Sequence, residues 1–197
     1  MRVQVPCWPA TLVSVTICSL ITLSAHVTPP RVLMTEREAL ERLFPGAGQA
    51  QPQQLRLMQE VRRQIHKQFG WKAEPKYRVF PVGHASGSAG ALFVLVDYTL
   101  HGPVRTAVAI DEQGRVKGAH VLEVQEEPYV WIKPVIDEDF AKPFVGRDCP
   151  ATSKAAASAG PTGGRMTQFY RSVLVNQLCH AAVLHRLVMR GGDSVTK

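Results

Sequence analysis

Cysteine is scarce in this chain, four in 197 residues, and no Cys-x-x-Cys-His run is present, which excludes c-type haem attachment. No paired-cysteine or His-Glu-x-x-His pattern offers a zinc site. A Gly-x-Ser-x-Gly elbow and a phosphate-binding P-loop are missing too, so the serine-hydrolase and P-loop classes have nothing to rest on. His180 and His185 fall on different faces of one predicted helix and do not pair as metal ligands. His101 and His120 read as a turn and a strand-surface histidine. No catalytic constellation of His or Glu stands out. Basic residues outnumber acidic ones, 23 against 16, but they are scattered and no aromatic-interleaved basic motif occurs. Nucleic-acid binding is therefore not expected. The basic stretch around Arg62, Arg63 and Lys67 reads as a solvated helix face.

What is present suits a folded domain. The composition is 45% hydrophobic and 20% charged, and the length suits one domain better than two. Arg2 followed by an apolar run from Ala10 to about Leu23, then Ser24-Ala25, has the layout of a secretory leader over residues 1–25. The run is roughly 14–16 residues, short for a spanning helix, which needs about 20. An uncleaved anchor is the alternative. The formal charge of +7 favours an anionic surface or partner, such as the membrane face. Cys7 and Cys18 lie in the leader. Cys149 and Cys179 remain, either as a disulfide in an oxidising compartment or as two unrelated thiols.

The pattern after the leader predicts α+β, an antiparallel sheet covered by helices. An N-terminal helical arm spans 26–75. In it, Thr35 and Glu38 have capping-box spacing before Leu40, Leu43 and Phe44. Pro52 suits the first turn of a second helix, with Leu55, Met58, Val61, Ile65 and Phe69 as its stripe and Gly70 as its stop. From Tyr77 the period becomes that of strands: Tyr77–Val82 at an edge, Ala91–Leu100, Val104–Ile110 and Arg115–Val124. Asp111-Glu112-Gln113-Gly114 is a hairpin turn whose glycine takes positive φ. Asp137–Phe144 reads as a short helix and Ala151–Gly164 as a small-residue stretch. A long helix follows from Met166 to Met189, with Phe169, Val173, Leu174, Leu178, Ala181, Leu184 and Val188 buried.

The block from His101 to Gly146 combines a strand, an Ile-Asp-x-x-Gly turn, and a strand ending Val121-Leu122-Glu123 before Glu127-Pro128. With the segment through Val145-Gly146 it resembles the FMN-binding domain family, which includes periplasmic flavin subunits of Rnf and sodium-translocating quinone reductase complexes. The resemblance covers about half of the chain after the leader and implies an FMN-binding-like domain over 76–190. It further implies an exported electron-transfer protein or subunit at the extracytoplasmic or periplasmic membrane face. Its partner would be a membrane-bound redox complex.

Family members carry Ser-Gly-Ala-Thr just before the last helix, the threonine being esterified to the FMN phosphate. The corresponding stretch here runs from Ala157 to Arg165, with Ser158, Gly160 and Thr162 in a different order and Pro161 directly before the threonine. Three readings follow: covalent attachment through Thr162; non-covalent phosphate binding by Thr162, Gly163, Gly164 and Arg165; or a flexible connector. Thr167 is a second candidate acceptor. In the family, a loop following Glu-x-Pro lies near the flavin ring, which places Glu127, Pro128 and Tyr129 there, with Tyr129 and Trp131 either stacking on the ring or plugging a gap. A domain that keeps the fold without cofactor and serves as an assembly or interaction module is the other functional reading.

Overall fold

The computed structural model describes residues 29–84, 87–148 and 163–189. Six antiparallel strands form one sheet: β1 (Pro30–Val32), β2 (Gln53–Arg56), β3 (Lys76–His84), β4 (Gly87–Thr99), β5 (Gly102–Asp111) and β6 (Val116–Gln125). Their spatial order is β1-β6-β5-β4-β3-β2. The four long strands run as a meander because each is joined to the next by a short connection. The β5–β6 turn is the expected one, with Gly114 at φ +86 and its N–H bonded to the Asp111 carbonyl. Asp111 Oδ1 also accepts from the Arg115 N–H at 2.8 Å, which closes the turn from its other side.

Four helices pack on this sheet: α1 (Glu36–Leu43), α2 (Gln59–Phe69), α3 (Glu126–Asp137) and α4 (Arg165–Leu184). Leu92 and Val94 of β4 face one side of the sheet and Phe93 and Leu95 the other, and all are buried. That explains the continuous apolar run of this strand, which alternation alone would not give. The larger core joins Phe93, Leu95, Val108 and Ile110 to Ile65 of α2, Ile132 of α3, and Leu174 and Leu178 of α4. The smaller core seats Ala39, Leu40 and Phe44 on Leu92, Val94, Ala107, Ala109 and Leu122. Small residues on the strands make room for α1, since a Cβ on Gly118 would stand 2.7 Å from Leu43 Cδ2. Both faces of the sheet are thus covered by helices.

The capping box of α1 is present, Thr35 Oγ1 accepting from Glu38 N–H while Glu38 Oε2 accepts from Thr35 N–H at 2.8 Å. Glu36 then ties the helix start to the sheet through Arg78 and Arg105. Gly70 ends α2 in the left-handed region, φ +77.

Several expectations change. The segment from Pro52 begins as a strand, and the helix starts only at Gln59. Pairing of Leu55 with Tyr77 buries Leu55 and satisfies backbone groups that a solvent-facing helical turn would leave to water. As a result β3 is an inner strand and β2 takes the edge. The short helix expected at Asp137–Phe144 is instead a turn with Asp139 at φ +51 and a 3₁₀ turn at Lys142–Phe144, because the helix itself lies earlier, over Glu126–Asp137. On α4 Leu174, Leu178, Ala181 and Leu184 are buried as expected, and Tyr170 and Gln177 are fully covered beside them, while Val173 is only partly buried and Phe169 is 43% exposed; the side chain of Val188 lies outside the described residues. Residues 185–189 wind into a π-helical turn.

Candidate cofactor site

The start of α4 differs from that of α1. Its N-cap is Gly164, which has no side chain to accept from the first-turn N–H groups, and no acidic residue lies in that turn. Gly163 before it adopts φ +92, and a Cβ there would stand 3.0 Å from Thr167 Cβ and Cγ2. Only glycine lets the chain enter the helix this tightly. Gly163 O accepts from Gln168 Nε2 at 3.0 Å, which fixes the turn, and Arg165 is exposed beside it. Thr167 is buried against Gly163, so this second acceptor candidate faces protein. Thr162, the Ala151–Thr162 stretch and Cys149 lie outside the described residues, while Cys179 is buried on α4. The leader, residues 1–25, also lies outside them, and no described helix is long and apolar enough to cross a membrane.

Glu127, Pro128 and Tyr129 form the first turn of α3, not the loop that was expected. The sequence permits this because carboxylates favour the positive end of a helix and proline is tolerated where N–H groups lack intrahelical partners. Pro128 is buried. The Tyr129 ring lies under the Arg31 guanidinium, 3.8 Å from its centroid, and Arg31 also pairs with Glu126 at 3.0 Å. This holds β1 against the start of α3.

Trp131, one turn on, stacks on Tyr170 of α4 at a centroid distance of 6.3 Å and an interplanar angle of 14°. Its edge meets His101 at 5.1 Å, and Glu127 approaches His101 Nδ1 at 3.4 Å. The Tyr170 hydroxyl lies 3.3 Å from Thr99 Oγ1, and burial raises its pKa despite that hydrogen bond. Arg171 and Glu138 form an ion pair that links the same two helices further along. The predicted phosphate and ring segments therefore belong to two packed helices, joined through Trp131 and Tyr170. Both aromatic side chains that sequence placed near a ring already have partners within the chain.

Two polar features on the same sheet face carried no sequence signal. His180 stacks on Trp71 at 3.9 Å, and burial depresses its pKa to about 4, so the imidazole is neutral. Asp97 lies close to Gln177, whose Nε2 also donates to the Val104 carbonyl at 3.2 Å. Burial raises the Asp97 pKa, and the Gln177 hydrogen bond offsets part of that. Each is one residue in a mainly apolar segment, and only the packing of α2 and α4 on the sheet shows what surrounds it. Among the described residues no group of three or more His, Cys, Asp or Glu side chains is placed to hold a metal. Among protein-family models, curated proteins and solved structures, none matches this chain.

Proposed function

We propose that this protein is an exported FMN-binding electron-transfer protein or subunit, working with a membrane-bound redox complex at the extracytoplasmic membrane face. The observation that carries the reading is the start of α4, which no described side chain caps: a left-handed glycine, a glycine N-cap, no carboxylate in the first turn, and an exposed arginine. Free N–H groups at the positive end of a helix dipole favour a phosphate. The residues present suit that group, since Gly164 contributes no side-chain cap and has nothing within 4 Å of where a side chain would begin, which leaves room beside the first-turn N–H donors. Gly163 and Gly164 would supply backbone, Arg165 positive charge, and Thr162 a hydroxyl for hydrogen bonding or esterification.

Bound FMN would supply one- or two-electron transfer, and the chain itself would make or break no substrate bond. The first turn of α3 would lie toward the ring. There Glu127 contributes negative charge, and Arg31 holds Tyr129 in a fixed orientation.

The test is intact mass and visible absorbance of the exported protein, produced in cells that also contain a flavin transferase. The expected result is flavin absorbance that falls in Thr162→Ala and Arg165→Gln. With covalent attachment, colour survives denaturation and the mass rises by one esterified FMN; with non-covalent binding, flavin is released. A colourless protein at its unmodified mass that takes up no added FMN refutes the reading.

One observation favours a second reading, an FMN-binding-like domain without cofactor that serves as an assembly or interaction module. Tyr129 is engaged by Arg31, and Trp131 by His101 and Tyr170, so both aromatics act as internal packing.

A further inference from the structure

Helix α2 carries Gln59, Arg62, Arg63 and His66 at the spacing that places them on one face. Left-handed Gly70 then turns the chain back, so that Lys72 and Ala73 run alongside that face. Between them lies an open cavity of about 290 Å³ lined by Gln59, Arg62, Arg63, His66, Lys72 and Ala73. Two arginines, a lysine and a histidine contribute to its lining, and no acidic residue does. Arg62 is half-buried, and its Nε donates to the Ala73 carbonyl at 2.9 Å. One edge of the fork is thereby anchored, leaving the remaining N–H groups for other acceptors.

We propose that this cavity is a binding site for a multiply charged oxyanion of the phosphate class. Guanidinium groups match tetrahedral and planar oxyanions through paired N–H donors, and an ammonium adds a point charge that is not tied to one geometry. Basic residues border the cavity from a helix and from the segment returning beside it, which suits an anion with acceptors on several sides. A single carboxylate would leave part of the set unused. The phosphate arrives either on a small solute or on a lipid headgroup. The site is separate from the start of α4 and does not depend on flavin binding.

The test is calorimetric titration of the full chain with pyrophosphate at low salt, alongside co-sedimentation with vesicles with and without phosphatidylglycerol. Arg63→Gln combined with Lys72→Gln removes two exposed cations and leaves the Arg62–Ala73 bond intact. Binding of either probe should weaken on the order of tenfold or more in this variant. It should be unchanged in Arg37→Gln, on the exposed surface of α1, with both variants melting near the parent. Pyrophosphate binding lost in the double variant assigns the site to a soluble phosphate. Vesicle binding lost in it, without pyrophosphate binding, assigns the site to a headgroup. Binding of neither probe, or equal binding by the double variant, overturns the proposal. A colourless protein at its unmodified mass that takes up no added FMN, yet binds pyrophosphate through Arg63 and Lys72, would refute the flavin reading and leave this one standing.

Discussion

Replacing Gly90 by alanine should damage the sheet far more than the same change at Gly46. Both glycines adopt positive φ, +129 and +81, so both substitutions force an L side chain into strained backbone. Their surroundings differ. A Cβ on Gly46 meets nothing within 4 Å, whereas on Gly90 it would stand 2.1 Å from the Ile110 carbonyl oxygen and 3.0 Å from Asp111 Cα. Gly90 is paired to Asp111 on one side and Val82 on the other, next to the β3 bulge, so neither neighbour can retreat without breaking ladder bonds. Backbone strain alone is about 1 kcal/mol at Gly46 and toward the upper end of the ~1–3 kcal/mol range at Gly90. Displacing buried backbone adds a further ~1–3 kcal/mol at Gly90. The sum there is about 4–6 kcal/mol, and at roughly 2–4 °C per kcal/mol for a domain of this size Tm should fall by about 8–24 °C. Gly46→Ala should cost only about 2–4 °C on the same scale. Differential scanning calorimetry of the two variants decides the matter. If Gly90→Ala melts within a few degrees of Gly46→Ala, the close approach of β4 and β5 is not what requires glycine.

Three further outcomes are expected. Burial lowers the His180 pKa to about 4 from its ordinary value of 6.5, so the unfolded chain binds the proton more readily. This group's contribution to stability should be complete above about pH 6.5 and lost as pH falls toward 4. An NMR titration of the His180 ring should show it, and His180→Phe should flatten the pH dependence of stability in that window. Leu40→Ala removes a fully buried side chain from the smaller core and should cost about 2–5 kcal/mol by urea denaturation, with α1 loosened on the sheet. Thr35→Ala breaks the α1 capping box and should cost about 1 kcal/mol in the same assay.

The meander was legible because its signals are local. Apolar runs with short polar turns, and Gly114 where positive φ was needed, define β4 to β6 without reference to anything distant. The capping box and the Gly70 stop were legible for the same reason. Strands β1 and β2 were not. Pro30–Val32 is exposed and three residues long, and its partner lies in the sixth strand. Leu55 and Met58 fit a helical period as well as they fit a strand and a cap, and only the free edge of β3 decided between them. The stripe of α4 was legible at Leu174, Leu178, Ala181 and Leu184, but not at its start, because Tyr170 and Gln177, both polar-tipped, are buried while apolar Phe169 is exposed. Of the candidate site, the glycines before α4 were legible as a helix start. Glu127–Tyr129 was not legible as a helix, because two acids and a proline look the same in a loop and in a first helical turn.

The placement of β1 and β2 has a consequence for how this chain is made. Both outer strands come from residues 30–56, and they flank a meander that starts only at Lys76. β1 leaves the ribosome first, yet its hydrogen-bond partners at Glu123–Gln125 are synthesised after every other strand. Nascent β1 must therefore wait through most of synthesis, and the sheet gains its second border only when the last strand arrives. A chain cut back to the meander would present two bare, apolar borders, each a template for strand addition by a neighbouring molecule. The arm that precedes the meander thus supplies the strand that borders it at each end, β1 along Glu123–Gln125 and β2 along Lys76–Val79.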